Sequence, residues 1–201
     1  MNNTAYAKTF VDPDAWIDRF AGSMSTRFPT TRLAMNLVDG LGHPPHMVET
    51  GCIRMLDDWG AGYSTYLWGR FCQERSGSII TIDYSAANME VCKRATAAFS
   101  DVITYVVEDS LTALAKLDKK IDLLYLDSMD VPLAGEYDIK ICQEHNLKEM
   151  LLAEPLLHEK SVVLIDDHMS NGGKGLLTRD YLISRGWTLI YALQQLVFIK
   201  R

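Results

Sequence analysis

GSIITIDYSAANMEVCKRATAAF, residues 77–99, is a strand followed by a helix. Its first seven residues are a short apolar, β-branched run that opens at Gly77 and ends on Asp83, the signature of a buried strand. From Ser85 the pattern changes to SAANMEVCKRATAAF, which predicts a helix with Ser85 as its cap. A buried strand joined to a helix of this length is the repeating unit of a parallel sheet covered on both faces.

The same unit recurs on either side. Upstream, HMVET (46–50) predicts a short strand, a glycine-bearing loop follows, and STYLWGRFCQER (64–75) predicts a helix capped by Ser64. Further upstream, an amphipathic run over 12–26 starts at Pro13, and a second helix follows Pro29 until Gly40 and Gly42 stop it. Downstream, strands are predicted at VITYVVED (102–109), IDLLYLD (121–127) and SVVLIDD (161–167). Helices are predicted at SLTALAKL (110–117), YDIKICQEHNLKEMLLAEPLL (137–157, interrupted or ended near Pro155) and GLLTRDYLISRG (175–186). The tail WTLIYALQQLVFIKR has two strands with no helix between them, so a closing antiparallel pair is expected. The reading is a single-domain, doubly wound α/β fold, with residues 1–45 as an N-terminal helical cap and 46–201 as the core.

Bulk properties narrow the function. The 201 residues are 48% hydrophobic and 23% charged, with 20 Lys and Arg against 26 Asp and Glu. A net charge of -6 provides no general field for nucleic acid or anionic lipid. No stretch reads as a bilayer span and the N-terminus lacks a signal-peptide core, so the cytoplasm is the expected location, with neither nucleic acid nor membrane as partner. Cys52, Cys72, Cys92 and Cys142 lie far apart with no CxxC, which fits neither a disulfide framework nor a zinc clamp.

The informative residues end the strands: Glu49 or Thr50, Asp83, Asp109, Asp127, and the pair Asp166 and Asp167. Ligands of open parallel sheets bind outside these ends, and a half-buried acid there needs a donor or a cation. Asp83, about 30 residues after the first strand, is placed to accept both hydroxyls of a ribose; a cap on the helix at Ser85 is the alternative. The loop VETGCIRMLDDWGAGYST (48–65) spoils the GxGxxG spacing of a dinucleotide site. Its Glu49 suits a sulfonium or amino group better than phosphates. S-adenosylmethionine is therefore favoured over NAD.

VETG with GAGYST, IITIDYSAANMEVCKR, VVEDSL, IDLLYLD and SVVLIDD together resemble the class I S-adenosylmethionine-dependent methyltransferases, with a Rossmann-like sheet. Within them the chain is most similar to small metal-dependent O-methyltransferases of catechol and caffeoyl-CoA type. The resemblance implies that Glu49, Gly51, Gly62, Tyr63 and Ser64 enclose the methionine part of the cofactor. It places Asp83 on the ribose and Asp109 and Ser110 beside the adenine. Glu108 stands where the family usually has glycine, and CIRMLDDW (52–59) is longer than the family's loop, as a lid or a solvated excursion. Related enzymes are often dimers, so a homodimer is an open option.

In the metal-dependent branch, Asp127, Asp166 and Asp167 fall on the ligand positions. Three converging carboxylates repel unless a cation or protons intervene, and Mg²⁺ or another divalent ion takes such oxygens and acidifies a hydroxyl. The expectation is Mg²⁺-assisted O-methylation of a small hydroxylated acceptor, of natural-product, sugar or phenolic type. The alternative is that Asp127 contacts the cofactor while Asp166 and Asp167 cap the following segment. Asp130 replaces the branch's catalytic lysine and is expected near the acceptor or the metal. His168 becomes the candidate base, alongside Asp127. His145, on a helix, reads as structural more readily than functional. NGGKG (171–175) lacks a P-loop frame, although Lys174 is a candidate contact for an acceptor carboxylate or phosphate. Trp16, Phe20, Phe28 and Trp59 form either an acceptor cover or ordinary packing. The rival readings are a non-catalytic S-adenosylmethionine-binding protein and an NAD-dependent oxidoreductase.

Overall fold

The computed structural model describes residues 16–56, 63–131, 138–168 and 172–200. Seven strands form one sheet in the order β3-β2-β1-β4-β5-β7-β6. They are β1 (His46–Thr50), β2 (Ser78–Asp83), β3 (Ile103–Val107), β4 (Ile121–Leu126), β5 (Leu157–Ile165), β6 (Trp187–Ala192) and β7 (Leu196–Lys200). β1 to β5 are parallel, and β7 runs antiparallel between β5 and β6. The helices are α1 (Phe28–Asp39), α2 (Ser64–Glu74), α3 (Ala86–Ala95), α4 (Ser110–Leu114), α5 (Ile139–Ala153) and α6 (Leu176–Ser184).

Alternation along the strands divides the core. Met47, Leu123 and Tyr125 join Trp68 and Phe71 of α2 and Leu33 of α1 on one face. Val48, Leu124 and Leu126 join Leu114, Met150 and Leu182 on the other. Adjacent strand residues point to opposite faces, so β4, apolar apart from Asp122 and the Tyr125 hydroxyl and buried at all six residues, serves both layers. Chain order reverses at β1, which pairs with β2 on one side and β4 on the other. A crevice opens at such a switch point beyond the carboxyl ends.

Of the two caps expected, Ser85 forms and Ser64 does not, and Asp109 and Asp138 supply two more. Ser85 accepts from the Asn88 amide at 3.3 Å, Asp109 from Thr112 at 3.0 Å and Asp138 from Lys140 at 2.9 Å. Ser64 does not cap α2; Tyr63 precedes the helix without a side-chain cap, because the Ser64 hydroxyl donates to Glu49 instead. Pro155 lies in a 3-10 turn, Glu154–Leu156, just past α5. The strand expected from Ser161 begins earlier, at Leu157, with a register shift against β4. The run expected over 12–26 reaches the described residues as short turns, Trp16–Phe20, Ala21–Met24 and Ser25–Arg27. No helix among the described residues is long and apolar enough to cross a membrane.

Candidate active site

Hydrogen bonds carry the sheet past its strand ends and draw the rim together. The amides of Gly51, Glu108, Asp127 and Asp166 donate to Ile82 (2.8 Å), Asp83 (3.1 Å), Thr50 (3.0 Å) and Leu126 (3.1 Å). Gly51 has φ +86, and a Cβ there would lie 2.5 Å from the Asp127 carbonyl oxygen. Only glycine lets the first loop leave β1 this close to β4.

A cavity of about 820 Å³ opens on this rim, within the size range of small-molecule sites. Of the expected site residues, Gly51, Asp83, Asp109, Ser110, Asp127, Asp130 and Asp167 line it. Glu49, Tyr63, Ser64, Asp166 and His168 stand off its wall, and Gly62 lies outside the described residues, as do residues 57–59 at the end of the 52–59 segment, Trp59 included. Met129 and Asp167, both on the wall, have left-handed φ of 48 and 52. Such strain in non-glycine residues is held in place by surrounding contacts and gathers at functional sites.

At one end Asp83 accepts from the Ser85 amide at 2.7 Å and from the Cys52 thiol at 3.4 Å, with Asn88 Nδ2 at 3.4 Å from both oxygens. It is 8% exposed, and that exposure faces the cavity. The carboxylate is thus fixed and still available to a pair of ligand hydroxyls. Asp109 and Ser110 follow β3 on the same wall, with Glu108 turned outward to Lys116 at 2.5 Å. Glu49 sits behind this wall, 1% exposed, and accepts from Ser64, from Thr65 at 2.7 Å and from Thr81 at 3.0 Å. Burial pushes its pKa up to about 8, against the pull of those three hydroxyls.

At the other end the acids converge as expected, but their counter-charges belong to the chain. Lys174 Nζ lies 2.7 Å from Asp127 and 3.2 Å from Asp167. Arg27 Nε meets both oxygens of Asp166, at 3.0 and 2.9 Å, and Nη2 reaches Asp167 at 3.1 Å. The Tyr125 hydroxyl stands 3.1 Å from Asp127 and 3.0 Å from Asp166, and accepts from Gln195 at 3.1 Å. Burial opposes the charge on Lys174, but Asp127, Asp167 and Asp166 outweigh it and raise its pKa. Arg27 is raised in the same way, Asp166 overcoming burial. Asp127 is raised well above an ordinary carboxylate, by burial first and by Asp166 next, with Lys174 opposing.

The three acids expected to hold a metal ion, Asp127, Asp166 and Asp167, thus come together around two side-chain cations. Among the described residues no group of His, Cys, Asp or Glu is arranged to hold a metal ion. The Lys174 ammonium and the Arg27 guanidinium contact the carboxylate oxygens of this group. Lys174, 1% exposed, is likewise no surface contact for an acceptor anion; it is part of the floor. His168, the expected base, stands off the cavity wall. After the left-handed Asp167 its amide bonds to the Gln194 carbonyl at 2.7 Å, and its buried Nδ1 has no partner among the described residues.

Asp130 lines the mouth of the cavity, ion-paired with Arg54. Of the aromatics read as cover or packing, two pack: Trp16 donates to Glu74 at 2.6 Å and stacks under Arg70, and Phe20 meets Tyr66 edge-on. The sequence reading missed Arg27, Tyr125 and Gln195. Tyr125, the polar-tipped residue two before Asp127 in the run LLYL, was the available signal.

A protein-family model described as "Methyltransferase domain" matches residues 58–168. No curated protein sequence matches the chain. Solved structures share the fold at low identity. The S-adenosylhomocysteine-bound Podospora anserina methyltransferase PaMTH1 is 17% identical, with 98% of this chain and 85% of that one covered and a TM-score of 0.60. An O-methyltransferase from Bacillus cereus, also in complex with S-adenosylhomocysteine, is 14% identical, with 98% and 96% covered and a TM-score of 0.59. A ribosomal protein L11 methylase from Lactobacillus delbrueckii subsp. bulgaricus is 18% identical, with 87% and 80% covered and a TM-score of 0.52.

Proposed function

The chain belongs to the methyltransferase domain family and is an S-adenosylmethionine-dependent methyltransferase; from that premise we propose that it methylates a hydroxyl of a small molecule, of natural-product, sugar or phenolic type, with Lys174 and Arg27 in the place of a divalent ion. The observation that carries this reading is one continuous cavity running from Asp83 to Asp127 and Asp130. Its size and enclosure suit a small acceptor beside the cofactor.

When bound, S-adenosylmethionine supplies a methyl group made electrophilic by its sulfonium. In this reading Asp83 accepts the ribose hydroxyls, Asp109 and Ser110 flank the adenine, and Gly51 gives the amino-acid end close access to backbone. Glu49, Tyr63 and Ser64 shape that end from behind the wall, with Gly62 in the same loop. Asp127 takes the proton of the acceptor hydroxyl. A carboxylate held above its ordinary range by burial is a better base near neutral pH than a free one. Lys174 and Arg27 keep the neighbouring acids from repelling one another, so Asp127 holds its position as the proton arrives. The remaining work is alignment of oxygen, methyl carbon and sulfur, worth several orders of magnitude in rate. Asp130, with Arg54, meets the polar groups of the acceptor at the cavity mouth.

The test is transfer of isotopically labelled methyl from S-adenosylmethionine to a panel of hydroxylated small molecules, amines and ribosomal proteins, each with and without a chelator. Labelled methyl ether is expected, unchanged by chelation. Label found only on nitrogen or on protein overturns the acceptor class, and loss of all transfer in chelator overturns the role given to the two cations.

A further inference from the structure

A second buried acid lies beside the adenine end of the cavity, on α5. Glu149 is 0% exposed, one helical turn from His145. Its Oε1 accepts from Ser128 Oγ at 2.6 Å and lies 3.4 Å from His145 Nε2, while its buried Oε2 has no partner among the described residues. The same His145 Nε2 is 3.0 Å from Ser110 Oγ. His145, Ser110 and Ser128 all line the cavity. One ring nitrogen thus faces both a carboxylate and a hydroxyl.

That arrangement fixes a proton. A carboxylate only accepts, so an unprotonated Nε2 would point its lone pair at Glu149; a protonated one is attracted. Glu149 therefore keeps hydrogen on Nε2 whether the ring is neutral or charged. It also raises the pKa of His145, against burial, with Asp109 adding and Lys148 opposing. With Nε2 as donor, Ser110 Oγ is the acceptor of the 3.0 Å bond. The Ser110 hydroxyl proton is then left for an acceptor atom in the cavity. A purine offers such atoms as ring nitrogens, lone-pair acceptors in the plane of the base.

We propose that His145 and Glu149 are positioning residues that make Ser110 a hydrogen-bond donor to a ring nitrogen of the cofactor's adenine. The inference rests on the cofactor reading above and adds to it a specificity device: the site selects a base with an acceptor nitrogen at that point. Ser128 donates to the same Glu149 oxygen that faces His145, so the device ties the ends of β3 and β4 through α5.

Calorimetric binding of S-adenosylhomocysteine and its 1-deaza, 3-deaza and 7-deaza analogues tests it without turnover. The expected result is that wild type binds one deaza analogue about tenfold more weakly than the parent, the value of one buried hydrogen bond. Ser110→Ala and Glu149→Gln should bind parent and analogue alike, because a glutamine amide lets Nε2 give up its proton and Ser110 turns to it. His145→Leu should lose the discrimination and His145→Gln, which keeps an N–H donor, should retain it; this pair serves if Glu149→Gln fails to fold. Equal binding of all four ligands by wild type, or wild-type discrimination in Glu149→Gln or His145→Leu, overturns the proposal alone. Absence of any S-adenosylhomocysteine binding overturns it together with the cofactor reading.

Discussion

Lys174 Nζ and Asp127 Oδ1 lie 2.7 Å apart at the floor of the cavity, the lysine 1% exposed and the aspartate open on one side. The pair joins the start of the last helical segment to the end of β4, and it decides how the acidic rim is kept together.

Replacing that lysine by alanine leaves Asp127 without its cation, while Asp167 keeps only its contact with Arg27. Removing one partner of a buried ion pair costs about 3–5 kcal/mol. Urea unfolding of Lys174→Ala should show a loss of that size, and methyl transfer should fall with it at temperatures where the variant stays folded. A loss under about 1 kcal/mol would mean that the pair is surface-like.

Chelation separates the chain's own cations from an added one. Dialysis against EDTA should leave both the methyl-transfer rate and the melting temperature where they were, and calorimetric titration with Mg²⁺ should show no heat of binding at the rim. Restoration of lost activity by Mg²⁺ would count against the ion pairs as a substitute.

Asp83 should govern donor affinity and little else. Its carboxylate is held by Ser85 and Asn88, and hydrogen bonds to charged groups contribute about 1.5–3 kcal/mol. Asp83→Asn is expected to weaken S-adenosylhomocysteine binding roughly ten- to a hundredfold with an acceptor KM close to wild type. A calorimetric Kd equal to wild type would remove Asp83 from the site.

Glu49 makes stability depend on pH. Its folded pKa, about 8, is above the unfolded value near 4.5, so between those values the native chain holds a proton that the unfolded chain has lost. Its contribution is full below the unfolded pKa and is lost as pH rises through the folded one. Unfolding free energy of the ligand-free protein should therefore fall between about pH 5 and 8, by up to about 1.4 kcal/mol per unit from this group. In Glu49→Gln that component should vanish. Parallel pH profiles for the two proteins would contradict the assignment.

Gly51→Ala should be disproportionately damaging for one added methyl. The Cβ meets the Asp127 carbonyl at 2.5 Å in a left-handed backbone, so β1 and β4 must separate where the cofactor cavity begins. A destabilisation of about 2 kcal/mol or more, with weakened S-adenosylhomocysteine binding, is the expected pair of readings from thermal melts and calorimetry.

The strand–helix alternation was legible because it rests on local rules. An apolar β-branched run such as residues 79–82, an apolar run such as 123–126 and caps such as Ser85 act within a few residues. The acids at the strand ends were legible too, since a hydrophobic run that stops on an aspartate marks the sheet's rim. What neutralises them was not. Arg27 and Asp166 are 139 residues apart, and no period or spacing connects them, so a metal ion was the nearest available explanation. Ser64 failed as a cap for a similar reason: its partner Glu49 belongs to another strand, and a buried carboxylate outbids a helix end. His145 read as structural because its partner Ser110, and the Ser128 that donates to neighbouring Glu149, come from two other loops.

The distance along the chain between Arg27 and Asp166 has a kinetic consequence. A partly folded chain that has assembled its five parallel strands but not docked its first helix carries the acidic cluster without its guanidinium. Contacts this far apart form late, since closing the intervening loop costs entropy before it returns anything. Repulsion at the cluster would then slow the final docking step, and mild acid or raised ionic strength in the refolding buffer would speed it.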